Sequence, residues 1–230
     1  MFTALILVAL GADPATKPPH TVIHFRSEAS QSVQAEQPIG SPILKAAKPL
    51  PPTGMALEVG IRTARRIVGE DLNLSQSRIE KYALSQKFLA LAGRIEGDPL
   101  ARWGAYHESL RLAVEAASPV GMFAAIDQAG RHFEIDAPQR KLAALRDCLN
   151  PSQDPRRCAP IPSLLPIANA ALLAATDAEK QNDVETALAL MEIARTAALQ
   201  GEHQPALETA VKRRNALRKS IAGRVTPPAR

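Results

Sequence analysis

The stretch NDVETALALMEIARTAALQGEHQPALETAVKRR, Asn182–Arg214, decides the fold. Alanine or a long apolar residue recurs at nearly every third or fourth position. Ala187, Leu190, Met191, Ala194 and Ala198 fall on one face of a helix, with Leu188 and Ile193 toward other sides. A helix that is apolar on more than one side is covered by more than one neighbour. Alternating alanine with larger side chains lets those neighbours approach closely and interdigitate. Asn182 and Glu185 stand in capping-box spacing at its start. No residue of the stretch has an obvious catalytic role; its alanine serves packing.

The rest of the chain is written in the same style. Of its 230 residues 46% are hydrophobic and only 3% aromatic, so the apolar content is mainly Ala, Leu, Ile and Val, a mixture suited to closely packed helices. This predicts an all-α protein built of tandem antiparallel helical hairpins, as an α-solenoid or a helical bundle. The formal charge is +5, from 28 basic against 23 acidic side chains. That is a mixed surface, which permits an acidic partner but does not by itself make a nucleic-acid binder.

The N-terminus reads MFTALILVALGADPATKPP. Its apolar run, Ala4–Leu10, is shorter than the about 20 residues that span a bilayer. It fits a secretory leader, residues 1–11, cut before Ala12, although no Lys or Arg precedes the run; the alternative is an apolar tail on a cytosolic protein. The leader reading places the mature chain in the periplasm or outside the cell. Residues 12–54 are Pro-rich and without apolar periodicity, so they read as an extended or disordered linker, with TVIHF at Thr21–Phe25 as its one compact apolar patch.

Helical punctuation begins after Gly54 and defines a helical domain over 55–222. Met55–Leu72 forms a first helix, weakened by Gly60 at about 1 kcal/mol relative to alanine. Ser77 and Glu80 open a second, with Leu84, Phe88, Leu91, Ala92 and Ile95 on one face and Gly97 at the left-handed position after it. Asp98-Pro99 and Ser118-Pro119 each give an N-cap followed by proline at the first helical position. Leu100, Trp103, His107, Leu110, Val114 and Ala117 are the predicted inner stripe of the helix from Pro99. Phe123, Ile126, Gly130 and Phe133 are that of the next. Asp136 starts another helix, carrying Leu142, Leu145 and Leu149. The Pro-rich run 150–162 is the one long internal loop; three helices follow, and 223–230 frays.

Helix after helix of 15 to 20 residues with short polar turns resembles an α-solenoid of tetratricopeptide type. Trp103 and Phe123 match the aromatic spacing of such a unit, while Tyr106, His107 and Pro119 depart from its usual Leu, Gly and Ala. Gly97–Asp136, with AIDQAGRHFEID at Ala125–Asp136, is similar to an alanine-rich helical region of secreted planctomycete proteins, in which a DPAARY-like helix precedes an AIDELAERFDVD-like one. NDVETALALMEIARTAALQ resembles a later helix of the same family. The resemblance covers Ser75–Ala222. It implies a secreted helical-repeat region without catalytic residues and leaves the function open.

Candidate sites are few. His107 and Glu108 begin an HExxH pattern, but Arg111 holds the second histidine's place, so the zinc-protease reading fails and His107 reads as a core residue. His20 and His24 lack a third ligand nearby. Cys148 and Cys158 flank the Pro-rich loop and suit a structural bridge in an oxidising compartment; two independent thiols are the alternative. Lys212, Arg213, Arg214, Arg218 and Lys219 crowd the last helix, and Arg65 and Arg66 the first. These are either contacts for an anionic polymer or lipid surface or cations on solvated helix ends. Trp103 and Tyr106 either line a groove for a peptide or pack between helices. No cofactor motif is present, and no interleaved aromatics favour nucleic acid. The expected partner is another protein, with an anionic polymer or lipid surface as the second reading and an unrecognised hydrolase as the third.

Overall fold

Local signals start most of the helices. The Ser77 hydroxyl accepts from the Glu80 amide while the Glu80 carboxylate accepts from the Ser77 amide, a complete capping box. Asp98, Ser118 and Asp136 likewise accept from the amides of Ala101, Gly121 and Gln139. The computed structural model describes residues 47–69, 77–149 and 161–225, all within the unit Ala46–Arg230. The expected leader, the linker to residue 46 with His20 and His24, the loop 150–160 with Cys158, and residues 226–230 lie outside the described residues. Among the described residues the chain forms eight helices and no strand: α1 Gly54–Val68, α2 Arg78–Arg94, α3 Pro99–Glu115, α4 Pro119–His132, α5 Ala137–Leu149, α6 Ile161–Lys180, α7 Val184–Gln200 and α8 Gln204–Val225.

The protein is all-α, and its helices pack in chain order. Each touches the next, and each also touches the next but one, from α1 on α3 through to α6 on α8. Odd and even helices therefore form two layers, the arrangement of stacked helical hairpins. Three hairpin turns are built alike. Ala117, Asn182 and Glu202 adopt positive φ of 53°, 58° and 52°. In each turn that residue's amide donates to a carbonyl three back, and the next residue's amide donates to a carbonyl five back: Ser118 to Ala113, Asp183 to Ala178, His203 to Ala198. This pair of hydrogen bonds closes the helix and reverses the chain within three residues. It also corrects the expected start of α7. Asn182 is the left-handed closing residue of α6, a conformation asparagine tolerates, and the N-cap is Asp183, which accepts from the Thr186 amide at 3.1 Å.

Two apolar clusters fill the stack. One, over α3 to α8, is mostly alanine and includes the predicted α7 face of Ala187, Leu190, Met191, Ala194 and Ala198. The other, over α1 to α4, holds Phe88, Trp103, Tyr106 and Phe133.

α3 departs from its predicted stripe because α1, α2, α4 and α5 all pack on it. Ala101, Gly104, Ala105, Glu108, Ser109, Leu112 and Ala113 are buried as well as Trp103 and Tyr106, whereas Leu100, Leu110 and Val114 are half-buried. His107 is no core residue: its side chain is 39% exposed. Nor is Gly60 merely a weakness in α1. It lies against Gly104 so closely that a Cβ added at Gly60 would sit 2.8 Å from the Leu100 carbonyl carbon, and one added at Gly104 would sit 2.5 Å from the Ile61 nitrogen. On the α2 side Ser85 and Ser109 exchange bonds, each hydroxyl donating to the other's carbonyl at 2.8 and 2.9 Å.

The end of the predicted linker is part of this structure. Glu134 donates its amide to the Pro49 carbonyl at 3.0 Å, and the Lys48 ammonium donates to the Gly130 carbonyl, so residues 48 and 49 are fixed to the turn after α4.

Candidate functional site

Trp103 and Tyr106 do not line a groove. Both are buried: Trp103 meets Phe133 edge-on at 4.9 Å, Arg140 lies over the indole at 4.9 Å, and Tyr106 meets Phe133 edge-on at 6.5 Å. The cavity beside them is about 20 Å³, space for about one water and no peptide. Their helix-packing role is the one the structure assigns.

The basic C-terminal helix divides in two. Arg213 donates to the Leu172 carbonyl, the Thr176 hydroxyl and the Glu179 carboxylate at 2.9 to 3.0 Å, and Arg214 donates to Glu192 at 2.6 Å. These arginines tie α8 to α6 and α7 and are not an open cationic surface. Lys212, Arg218 and Lys219 are exposed. Arg66 is exposed on α1, but Arg65 turns inward onto Glu108 at 2.9 Å.

That glutamate is a feature the sequence reading missed. The Glu108 side chain is 1% exposed, and Arg111 also reaches it, through Nε at 3.2 Å and Nη2 at 3.1 Å. Arg111 continues to Glu115 at 2.5 Å, and Glu115 accepts from Lys81 at 2.9 Å. One chain of charges thus joins α1, α3 and α2. Burial alone pushes the Glu108 carboxyl up, but its contacts with His107, Arg65 and Arg111 outweigh that and hold it at about 2. It is a fixed counter-ion, and the HExxH-like spelling around it describes an ion pair. The Glu108–Arg111–Glu115 spacing was visible as helical neighbours; the α1 partner was not.

Cys148 carries a free thiol in the alanine-rich cluster, 3.5 Å from the Val114 carbonyl and 3.9 Å from the Met122 sulfur. Burial and the Asp147 charge push it up to about 12. Its expected partner, Cys158, lies outside the described residues.

An open surface groove lies between α5 and α7, neighbours in the odd layer. Leu149, Ala189 and Ile193 form an apolar floor, Arg146, Glu192 and Thr196 form a polar rim, and the groove holds about 380 Å³. Ile193 is one of the residues expected off the main packing face. Glu192 is oriented by Arg195 and Arg214 at 2.5 and 2.6 Å, which keep its carboxylate ionised.

Comparison with family models, curated proteins and solved structures finds no match to this chain. Among the described residues no helix is long and apolar enough to cross a membrane.

Proposed function

We propose that this protein is a non-enzymatic interaction scaffold that receives a segment of another protein in the groove between α5 and α7. The observation that carries the reading is the groove itself, an apolar floor with an oriented Arg/Glu rim on one layer of a helical stack. A glutamate saturated by arginines and a thiol held protonated leave little chemistry in the core, consistent with binding over catalysis. The leader-like N-terminus and the resemblance to secreted helical-repeat regions support a location for this activity in the periplasm or outside the cell. The test is a photo-crosslinking side chain at Ile193, with one at the exposed Val120 of α4 as control. A discrete partner captured at residue 193 alone, and lost on Arg146→Glu, supports the scaffold. The same products at both positions refute it.

The second reading is attachment to an anionic envelope polymer or lipid surface through α8. It rests on the exposure of Lys212, Arg218 and Lys219, without Arg213 and Arg214. Binding to anionic vesicles that weakens steeply with salt, and on changing those three to Gln, supports it. Salt-insensitive binding refutes it.

A further inference from the structure

Most arginines with half-buried side chains in this stack meet a carboxylate: Arg111, Arg195, Arg213 and Arg214 all do. Arg140, which lies over Trp103, and Arg102 do not, and Arg102 sits in a cationic cluster. Where the C-terminal ends of α2 and α4 meet the start of α3, Lys48, Arg102, Arg131 and His132 come together. Arg102 donates through Nε and Nη2 to the Ile95 carbonyl, and its Nη1 lies 3.3 Å from His132 Nδ1. A guanidinium only donates, so Nδ1 is the acceptor and the imidazole is neutral. Lys48 is anchored on the Gly130 carbonyl two residues before His132, and Arg131 is exposed beside it. None of these cations forms an ion pair among the described residues, and the exposed Glu96 and Glu134 of the adjoining turns reach none of them.

Helix C-termini attract single cations, but three positive charges around a histidine repel one another, and Lys48 and Arg102 are held there by the Gly130 and Ile95 carbonyls. A second observation points the same way. Tyr106 stacks on His132 with ring centroids 6.0 Å apart, and its hydroxyl is buried without a hydrogen-bond partner. The charges acting on that hydroxyl are those of Arg102 and Arg131.

We infer that this cluster is a binding site for a small tetrahedral oxyanion, a phosphate or sulfate group that is free or carried on a small molecule. Arg102 and Arg131 supply the charge, Lys48 closes one side, and His132 binds as the imidazolium: with an oxyanion between it and Arg102, Nδ1 turns from acceptor to donor. Binding is therefore coupled to protonation, and it tightens as pH falls through the histidine's midpoint.

The test is an NMR titration of His132 in the full chain, in chloride and then in inorganic phosphate, sulfate or glycerol 3-phosphate at matched ionic strength. The expected result is a midpoint raised by roughly one pH unit with the oxyanion, the scale an opposite charge at contact produces. The response should be reduced in Arg102→Gln and in Arg131→Gln and kept in Arg218→Gln. Arg102 also caps α2, so the exposed Arg131 keeps the test decisive if the Arg102 variant misfolds. Response to inorganic phosphate identifies a free ion as sufficient; response to glycerol 3-phosphate alone identifies a monoester. A midpoint that the three oxyanions leave unmoved up to tens of millimolar, or a response that both variants keep in full, overturns the proposal.

Discussion

Replacing Gly60 or Gly104 by alanine tests the architecture where it has no slack. In an ordinary helix interior Gly→Ala stabilises by roughly 0.5–1 kcal/mol, because alanine loses less backbone freedom on folding. At the α1/α3 crossing the new methyl meets backbone. From Gly60 it would sit 2.8 Å from the Leu100 carbonyl carbon, with the carbonyl oxygen nearer still. Carbon atoms rest about 3.5–4.0 Å apart, so the helices must separate by about 1 Å. No rotamer relieves the contact. Overpacking costs about 1–3 kcal/mol, and a rigid backbone neighbour puts this site at the upper end. Subtracting the propensity gain leaves a net loss of about 2 kcal/mol, or roughly 4–8 °C in Tm for a chain of this size.

Gly93, near the end of α2, has nothing within 4 Å of an added Cβ. Gly93→Ala is the internal control and should raise Tm by a few degrees. Thermal and urea unfolding of the three single variants and the Gly60→Ala/Gly104→Ala double variant, followed by far-UV circular dichroism, gives the comparison. The double variant should cost less than the sum of the singles, because one separation of the helices relieves both methyls. If Gly60→Ala and Gly104→Ala stabilise as Gly93→Ala does, the close crossing is wrong.

Acid should unlock the charge chain. Glu108 is held at about 2 against roughly 4.5 unfolded, so ionisation contributes about 3 kcal/mol, fully present above pH 4.5 and lost as pH falls toward 2. In urea titrations the gap between the wild-type protein and Glu108→Gln should accordingly be widest above pH 5 and close by pH 2; a gap constant with pH contradicts this. Ala117→Gly and Glu202→Gly should each stabilise by up to about 1 kcal/mol, since a side chain at positive φ is strained, while Asn182→Gly should gain less. Chemical denaturation checks the order of the three. Cys148 should resist alkylation in the native state and label fully on unfolding without reductant, as mass spectrometry would read; a thiol that labels in neither state is bridged.

What the sequence made legible is what depends on near neighbours in the chain. Ser77 with Glu80, Asp98 with Pro99 and Ser118 with Pro119 announce helix starts because capping bonds span three residues. The α7 face was readable because its apolar period matches its neighbours. α3 was misread because four helices surround it, so burial no longer follows a single stripe. Asn182 and Asp183 are both good caps, and only the closing bonds of α6 separate them. Gly60, Arg65 and Arg213 took their meaning from partners 34 to 44 residues away: Gly104, Glu108 and Glu179. The cationic cluster is assembled from Lys48, Arg102, Arg131 and His132, and no window along the chain contains it.

These contrasts divide the stack by the kind of interaction that holds it. From α6 to α8 the core is mostly alanine, in contacts insensitive to pH, and Arg213 and Arg214 close its outer helix. From α1 to α4 it depends on a glycine crossing, an ion chain and aromatic rings, beside cations that meet no carboxylate among the described residues. The proposed anion site and the Glu108 ion chain lie in the first half, whereas the groove between α5 and α7 belongs to the second. Leu110 and Ile135 pack against both clusters, so the two halves meet at these side chains. Linkage then makes a definite demand on the two proposals taken together: if phosphate alters a partner's affinity for the groove, that partner must alter phosphate affinity by the same factor. If the two bindings are independent, the halves are energetically separate and the shared side chains only fill space.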